Sequence, residues 1–397
     1  MDSLDAILEA SVAHGHDTAD KLLGAAFIVV NGKDVVYRGA AGRIRFDPAS
    51  TPFAPDSFSW VASLTKLVTA TCLMQLVERG EIGLDDDVRA LLPELGRLQI
   101  LRGFDQAHRP LLQDNAHPIS LRMLCTHTVG TCYAPLDPRL IEWCQQVGHP
   151  IRQTDWSIDA MSIPLLFAPG HGWVYGTSLD WAGLLLERIT KQSLGQYMQA
   201  HIFDPLDMSD TGFWPEKLPQ TASRTVAWSH RHAASLTLEP ADPITPEKHE
   251  IESGGAGLYS TADDYARFLR AFLAGTLVSE ATMRTMFSPQ LNQVQKEALK
   301  TMAYHAQLHR AMAPEFPPGL DIDHGISGFI NLQDVPGKRP KGSLMWSGMC
   351  NSHWWIDRQT GIAAVLVVNV VDTGDSVVVR LYDELERAVY AHGIGGK

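Results

Sequence analysis

Ser63 and Lys66 stand three residues apart in the stretch Ser63-Leu64-Thr65-Lys66. On a helix that spacing puts a hydroxyl and an amine on one face, close enough to touch. A serine hydroxyl is a poor nucleophile at neutral pH until a neighbour takes its proton, and a desolvated lysine amine can be that base. Downstream, Leu64, Leu67, Val68, Thr71, Met74 and Val77 recur at helical spacing, and Gly80 ends the pattern. The spacing therefore predicts a nucleophile at a helix entrance, where the helix dipole favours a developing oxyanion. A capping serine followed by a surface lysine satisfies the same four letters, so the context decides.

Two later segments supply context. Tyr175-Gly176-Thr177 runs into Thr177-Ser178-Leu179-Asp180, a capping-box pattern opening a helix that carries Trp181, Leu184, Leu185 and Ile189. Its phenol is expected on a loop facing a cleft. Trp346-Ser347-Gly348-Met349 reads as strand, where a glycine marks close approach of a ligand or another backbone. Backbone N–H groups at such an edge can stabilise an oxyanion. A nucleophile, two titratable partners and a strand-edge donor are the parts that two-step acyl transfer needs.

Both chain ends must build the frame. Residues 26–30 and 35–38 read as a hairpin around Asn31-Gly32, and 343–349, 352–356 and 362–370 as three more strands. Helices are expected over 3–14 and 375–391, giving one antiparallel sheet from the two termini with helices covering a face. Trp354 and Trp355 alternate along their strand, one facing the core and the other the opposite side. The expected division is a discontinuous sheet domain, 1–59 with 331–397, and a mainly helical domain over 60–330, the active site lying between them. Thr261-Ala262-Asp263-Asp264 should cap one helix of the insert, with Tyr265, Phe268, Leu269 and Phe272 as its apolar face. Residues 290–323, a polar helical stretch followed by Pro314, Pro317 and Pro318, are expected to fold over the cleft mouth as a lid, with a plain surface excursion as the alternative.

Composition narrows the classes. Over 397 residues the chain is 45% hydrophobic with a net charge of -12, which argues against nucleic acid or an anionic membrane as partner. The start, Met1-Asp2-Ser3-Leu4-Asp5, lacks a signal-peptide pattern, and no apolar run reaches membrane-spanning length. Five cysteines (Cys72, Cys125, Cys132, Cys144 and Cys350) without repeated spacing fit reduced thiols and a cytoplasmic location. No metal or cofactor is expected; His14-Gly15-His16-Asp17 is only a fragment of a metal box. His127 is expected to be a buried histidine bonded to backbone. Lys338-Arg339-Pro340-Lys341 is expected as a solvated basic loop, with steering of an anionic carrier as its functional alternative.

The order and spacing of the three boxes resemble the serine β-lactamase and penicillin-binding-protein superfamily, with its Ser-x-x-Lys, Tyr-x-Asn and Lys-Thr-Gly motifs. Leu121-Arg122-Met123-Leu124-Cys125-Thr126-His127-Thr128-Val129-Gly130 is similar to that superfamily's "LLTHTSG" helix end, and Phe167-Ala168-Pro169-Gly170 to its approach to the tyrosine. The run from Ser253 to Thr261 is similar to its "GGGL-S-T" loop. The resemblance implies an α/β (α+β) protein of the serine β-lactamase-like fold. It further implies Ser63 as nucleophile, Lys66 as base, Tyr175 as proton relay, and the backbone N–H groups of Ser63 and Met349 as oxyanion hole.

Departures narrow the branch. Trp346 stands where a lactamase or peptidase has the lysine that holds a β-lactam carboxylate, and Thr177 replaces the asparagine of the second box. A tryptophan there resembles the family VIII carboxylesterases and the fungal statin side-chain acyltransferases, as do Gly103-Phe104-Asp105 and residues 175–183. The implied activity is a serine acyltransferase or esterase, of secondary metabolism, that passes an acyl group from Ser63 to an alcohol or to water. Its partners would be a small-molecule ester or thioester donor and an alcohol acceptor, with a carrier protein left open as donor, acting on a monomer. Trp346, Gly348, Thr177 and Leu258 are assigned to the substrate pocket, and Tyr133 either to it or to the core. The competing readings are a β-lactamase or D,D-peptidase-like hydrolase, and a catalytically silent binding protein of the same fold.

Overall fold

The computed structural model describes residues 2–152, 154–371 and 373–393. Seven strands form one antiparallel sheet: β1 (Gly24–Asn31), β2 (Val35–Gly42), β3 (Ile322–Gly325), β4 (Gly328–Asn331), β5 (Leu344–Ser347), β6 (His353–Asp357) and β7 (Ile362–Val367), in the order β2-β1-β7-β6-β5-β4-β3. Asparagine and aspartate turns set the hairpins. The Asn31 side chain accepts from the N–H groups of Lys33 and Asp34 at 2.8 and 2.7 Å. Asp357 does the same for Gln359 and Thr360 between β6 and β7.

The central strands are buried throughout, so they read as continuous apolar runs rather than alternations. On one side Phe27 stacks on Trp355, which meets Tyr382 of the Ser376–Ala391 helix; that helix packs on the Asp2–Ser11 helix. The Ala262–Leu273 helix packs on β1 and β7. It is capped as expected, Thr261 accepting from the Asp264 N–H. With both faces covered, Trp354 and Trp355 are each fully buried.

Three expectations are corrected. β3 and all of β4 but its last residue join the sheet from inside the expected helical region, 60–330. They are short, and a two-residue turn with Ser327 at φ +67° joins them, so neither strand had length enough to announce itself. The Thr177–Asp180 capping box does not form: Thr177, at φ −76° and ψ 12° rather than extended, makes no cap bond, and the Asp180 carboxylate turns to Ser253 and Gly255 instead of back to the cap. The first half of the basic run is not solvated, although Lys341 is exposed as expected. Arg339 lies fully buried on Glu386 at 2.6 Å, and Lys338 reaches Asp383 and Glu386 at 3.0 and 3.2 Å. Those carboxylates sit on the C-terminal helix, some 45 residues away, where local patterning has no view of them. Of the run's three cations, only Lys341 is left exposed to face a carrier.

All five cysteines are free and buried. Among the described residues, no helix is long and apolar enough to cross a membrane.

Candidate active site

The chain enters the site from a two-residue strand, Ser59–Trp60, paired with Tyr259–Ser260. Ala62 then takes a left-handed backbone, φ +47°, opening the 3₁₀ turn Ala62–Leu64 that leads into the Thr65–Glu78 helix. A non-glycine residue held there costs about 1–3 kcal/mol and persists only where its surroundings over-determine it. They do so here. Val61 N–H donates to Leu258 O at 3.0 Å, Thr65 Oγ1 donates to Ala62 O at 2.6 Å and accepts from Leu258 N–H, and Tyr265 OH donates to Leu64 O. Ser63 therefore sits two residues before the α-helix rather than in it, on a turn braced from three sides. The helix behind it is buried on nearly every face.

Lys66 is 1% exposed. Its Nζ lies 3.0 Å from Ser63 Oγ and donates to Gly255 O at 2.7 Å. Tyr175 OH lies 2.6 Å from the same Ser63 Oγ, and Lys66 Nζ is 4.8 Å from the Tyr175 ring centre. Thus one hydroxyl touches both titratable groups. Gly176 brings the phenol into place: a Cβ there would meet Thr131 O at 2.3 Å and Cys132 Cα at 2.4 Å, so only glycine lets this loop press so closely.

Asp180, expected from its spacing to be part of a cap, organises the floor instead. Its buried carboxylate accepts from Ser253 Oγ and from Gly255 N–H at 3.1 Å, fixing the residue whose carbonyl receives Lys66. Burial pushes this carboxyl above its usual value, while the nearby Lys66 charge and the two hydrogen bonds pull it back. A cap position gave no signal for this role, since the partner loop lies some 75 residues on.

Aromatic rings enclose the phenol. Tyr133 at 5.4 Å and His127 at 5.0 Å meet Tyr175 edge to face, and Trp346 lies 5.2 Å away. Burial holds the Tyr133 phenol well above its usual value, hence protonated. His127 is buried as expected, but its Nδ1 has no hydrogen-bond partner; ring contacts with Trp346, Trp173 and His324 hold it instead. Burial, with His324 and Lys66 nearby, keeps it far below the usual histidine range. His324 is likewise pushed down to about 4 by burial. Both rings are neutral at pH 7 and bring no charge to the cleft.

Ser63 opens into a cleft of about 650 Å³, counting the space at its mouth that is open to solvent. Tyr175, Trp346, Gly348 and Met349 line it, together with Leu136, Met302, Leu308, Ala311 and Met312. Gly348 is where β5's continuation crosses the Ser63 turn: a Cβ would meet Val61 O at 2.8 Å and Ala62 Cβ at 3.3 Å. Three residues assigned to the pocket from sequence are not in this wall. Leu258 lies beneath the turn, bonded through its backbone to Val61 and Thr65. Thr177 is buried with its Oγ1 unpartnered, and Tyr133 packs behind Tyr175. Met302, Leu308, Ala311 and Met312 come from the irregular 290–323 segment. No cluster of metal-binding side chains occurs among the described residues.

A family model described as Beta-lactamase matches residues 4–388. The chain is 32% identical to the lovastatin esterase of Penicillium rubens over 93% of its own length and 92% of that protein's. It is 34% identical to the monacolin J acid methylbutanoyltransferase of Aspergillus terreus, covering 86% and 83% of the two chains. A solved mutant of the Aspergillus terreus simvastatin synthase superposes with a TM-score of 0.89 at 30% identity, covering 98% and 94%.

Proposed function

The chain belongs to the beta-lactamase family, and from that premise we propose that Ser63 is the residue acylated, with Lys66 and Tyr175 moving its proton. It is an enzyme of the serine acyltransferase and esterase class, acting on a small-molecule acyl donor and acceptor. The observation that carries the assignment is the contact of one Ser63 Oγ with both Lys66 Nζ and Tyr175 OH, at 3.0 and 2.6 Å, on the floor of an apolar cleft.

In the proposed sequence Ser63 Oγ attacks the donor carbonyl as its proton passes to the Lys66–Tyr175 pair. The backbone N–H groups of Ser63 and Met349 receive the oxyanion. The C–O or C–S bond to the leaving group breaks, and that group takes the proton from Tyr175. An acceptor hydroxyl then gives its proton to Tyr175 and attacks the acyl-Ser63 carbonyl, and Ser63 Oγ regains a proton. Water in place of the alcohol yields an acid. Among the described residues the cleft lining carries no formal charge, which supports a neutral, apolar acyl group and a place in secondary metabolism like that of the relatives. The donor is proposed as an ester or thioester, free or on a carrier, and the enzyme as a cytoplasmic monomer. Intact mass spectrometry after incubation with short acyl thioesters and p-nitrophenyl esters tests the assignment, an acyl adduct on Ser63 being the expected result.

Two further outcomes follow from the geometry. With Trp346 where a cation would hold a carboxylate, short-chain esters should be turned over faster than benzylpenicillin; comparing initial rates on the two decides, and faster penicillin hydrolysis restores the lactamase reading. Asp180 positions Lys66 through Gly255 and touches no reacting atom in this scheme. Asp180→Ala should lower kcat by roughly tenfold or more with KM little changed, and Asp180→Asn, which keeps an acceptor at the same place, should recover part of the loss. Equal losses from the two variants would deny the hydrogen bonds that role.

A further inference from the structure

One wall of the cleft comes from a stretch that cannot hold itself. Leu308, Ala311 and Met312 line the cavity, but the helix His309–Met312 is four residues long, far below the length at which a helix is stable alone. Its grip on the sheet at the cleft is slight: Ser347 Oγ donates to Ala311 O at 3.4 Å, and Gly374 packs against the Arg310 backbone.

Three residues past Met312 the chain turns inward at Glu315, whose side chain is completely buried. Glu315 Oε1 accepts from His353 Nδ1 at 2.9 Å, and the Glu315 backbone carbonyl accepts from Lys338 Nζ at 2.9 Å. His353 lies on β6 directly opposite Ser347 of β5, the residue next to Trp346. Its ring stacks on Tyr382 at 4.3 Å, and Glu386 holds Arg339 beside it. Burial drives the Glu315 carboxyl up, yet the His353 hydrogen bond and the His353 and Arg339 charges outweigh it and leave it below its usual value. An ionised carboxylate only accepts, which fixes Nδ1 as the donor. A buried charge is costly and adds little net stability over an apolar residue of like size, but it binds in one direction to one partner. A leucine would dock this segment anywhere greasy; a carboxylate docks it at His353.

We propose that Glu315 and His353 are positioning residues that tie the 308–316 wall to the strand pair carrying Trp346, and so set how acyl-Ser63 divides between alcohol and water. This rests on the reading of Ser63 as the acylated residue. Transfer and hydrolysis make and break the same bonds: an oxygen adds to the acyl carbon, the Ser63 Oγ–carbon bond breaks, and the proton of the incoming hydroxyl ends on Ser63. Only admission to the cleft separates them, and an untied wall admits water first.

The test measures the ratio of ester to acid formed from one p-nitrophenyl donor with a fixed alcohol. Glu315→Leu, which offers His353 Nδ1 no acceptor, and His353→Phe, which keeps the stack on Tyr382, should each lower that ratio by about tenfold while the acylation burst stays within about twofold, and Glu315→Gln, which keeps an acceptor, should recover part of the loss. The double variant should be no worse than either single one. An unchanged ratio in a soluble Glu315→Leu enzyme that acylates normally overturns the proposal. Where a variant fails to fold, hydrogen exchange on the native enzyme answers: amides of 311–316 should exchange as slowly as those of β6, and fast exchange there overturns the tie. Absence of any Ser63 adduct in the native enzyme would instead bring down the acyl-Ser63 reading itself, whatever the exchange shows.

Discussion

Replacing Ser63 with alanine is expected to erase the acyl-enzyme and to cut turnover of activated esters by roughly 10⁴-fold or more, the scale on which loss of a nucleophile is felt when no neighbour can replace it. The fold should survive. Among the described residues Ser63 Oγ bonds to Lys66 and Tyr175 alone, while the turn around it is held by Thr65, Leu258 and Tyr265. Intact mass after an ester pulse, with thermal unfolding alongside, separates the two effects. An adduct of undiminished yield in Ser63→Ala would place the chemistry on another residue.

Lys66→Ala and Tyr175→Phe should each lower kcat by about 10²-fold or more, the usual weight of an acid–base group in contact with the proton it moves. Because both act on the one Ser63 proton, their losses should not multiply; the double variant should be little slower than the worse single one. Tyr175→Phe is the cleaner probe, since the ring and its edge contacts with Tyr133 and His127 remain. Lys66→Ala also leaves Gly255 O without its donor inside the protein, so some of its cost is structural. Steady-state kinetics on the singles and the double decide, and losses that multiply cleanly would mean the two groups work separately.

What the sequence made legible was local and periodic. The three-residue spacing already put Lys66 against Ser63, and alternating or continuous apolar runs marked β1, β2, β5, β6 and β7. Tyr175, 112 residues from Ser63, had no geometric signal of its own; a familiar order of boxes pointed to it. The parts that escaped notice are those whose meaning lies in a distant partner. Asp180 looked like a cap until its loop was in place, Lys338 and Arg339 looked solvated until the C-terminal helix came to meet them, and Glu315 lay unremarked among prolines. Charge patterning along a chain records what a residue is, and burial records what the fold brings to it.

The nearly all-round burial of the Thr65–Glu78 helix divides the molecule by how freely it can vary. A substitution on that helix strikes the interior as well as the chemistry, so inheritance should hold it still. The stretch that supplies Leu308 and Met312 lines the cavity without carrying any of the reacting groups. Lineages that keep one reaction while changing what they acylate can rewrite that stretch and leave the reacting groups untouched, which is a route by which esterases and acyltransferases can share a single scaffold.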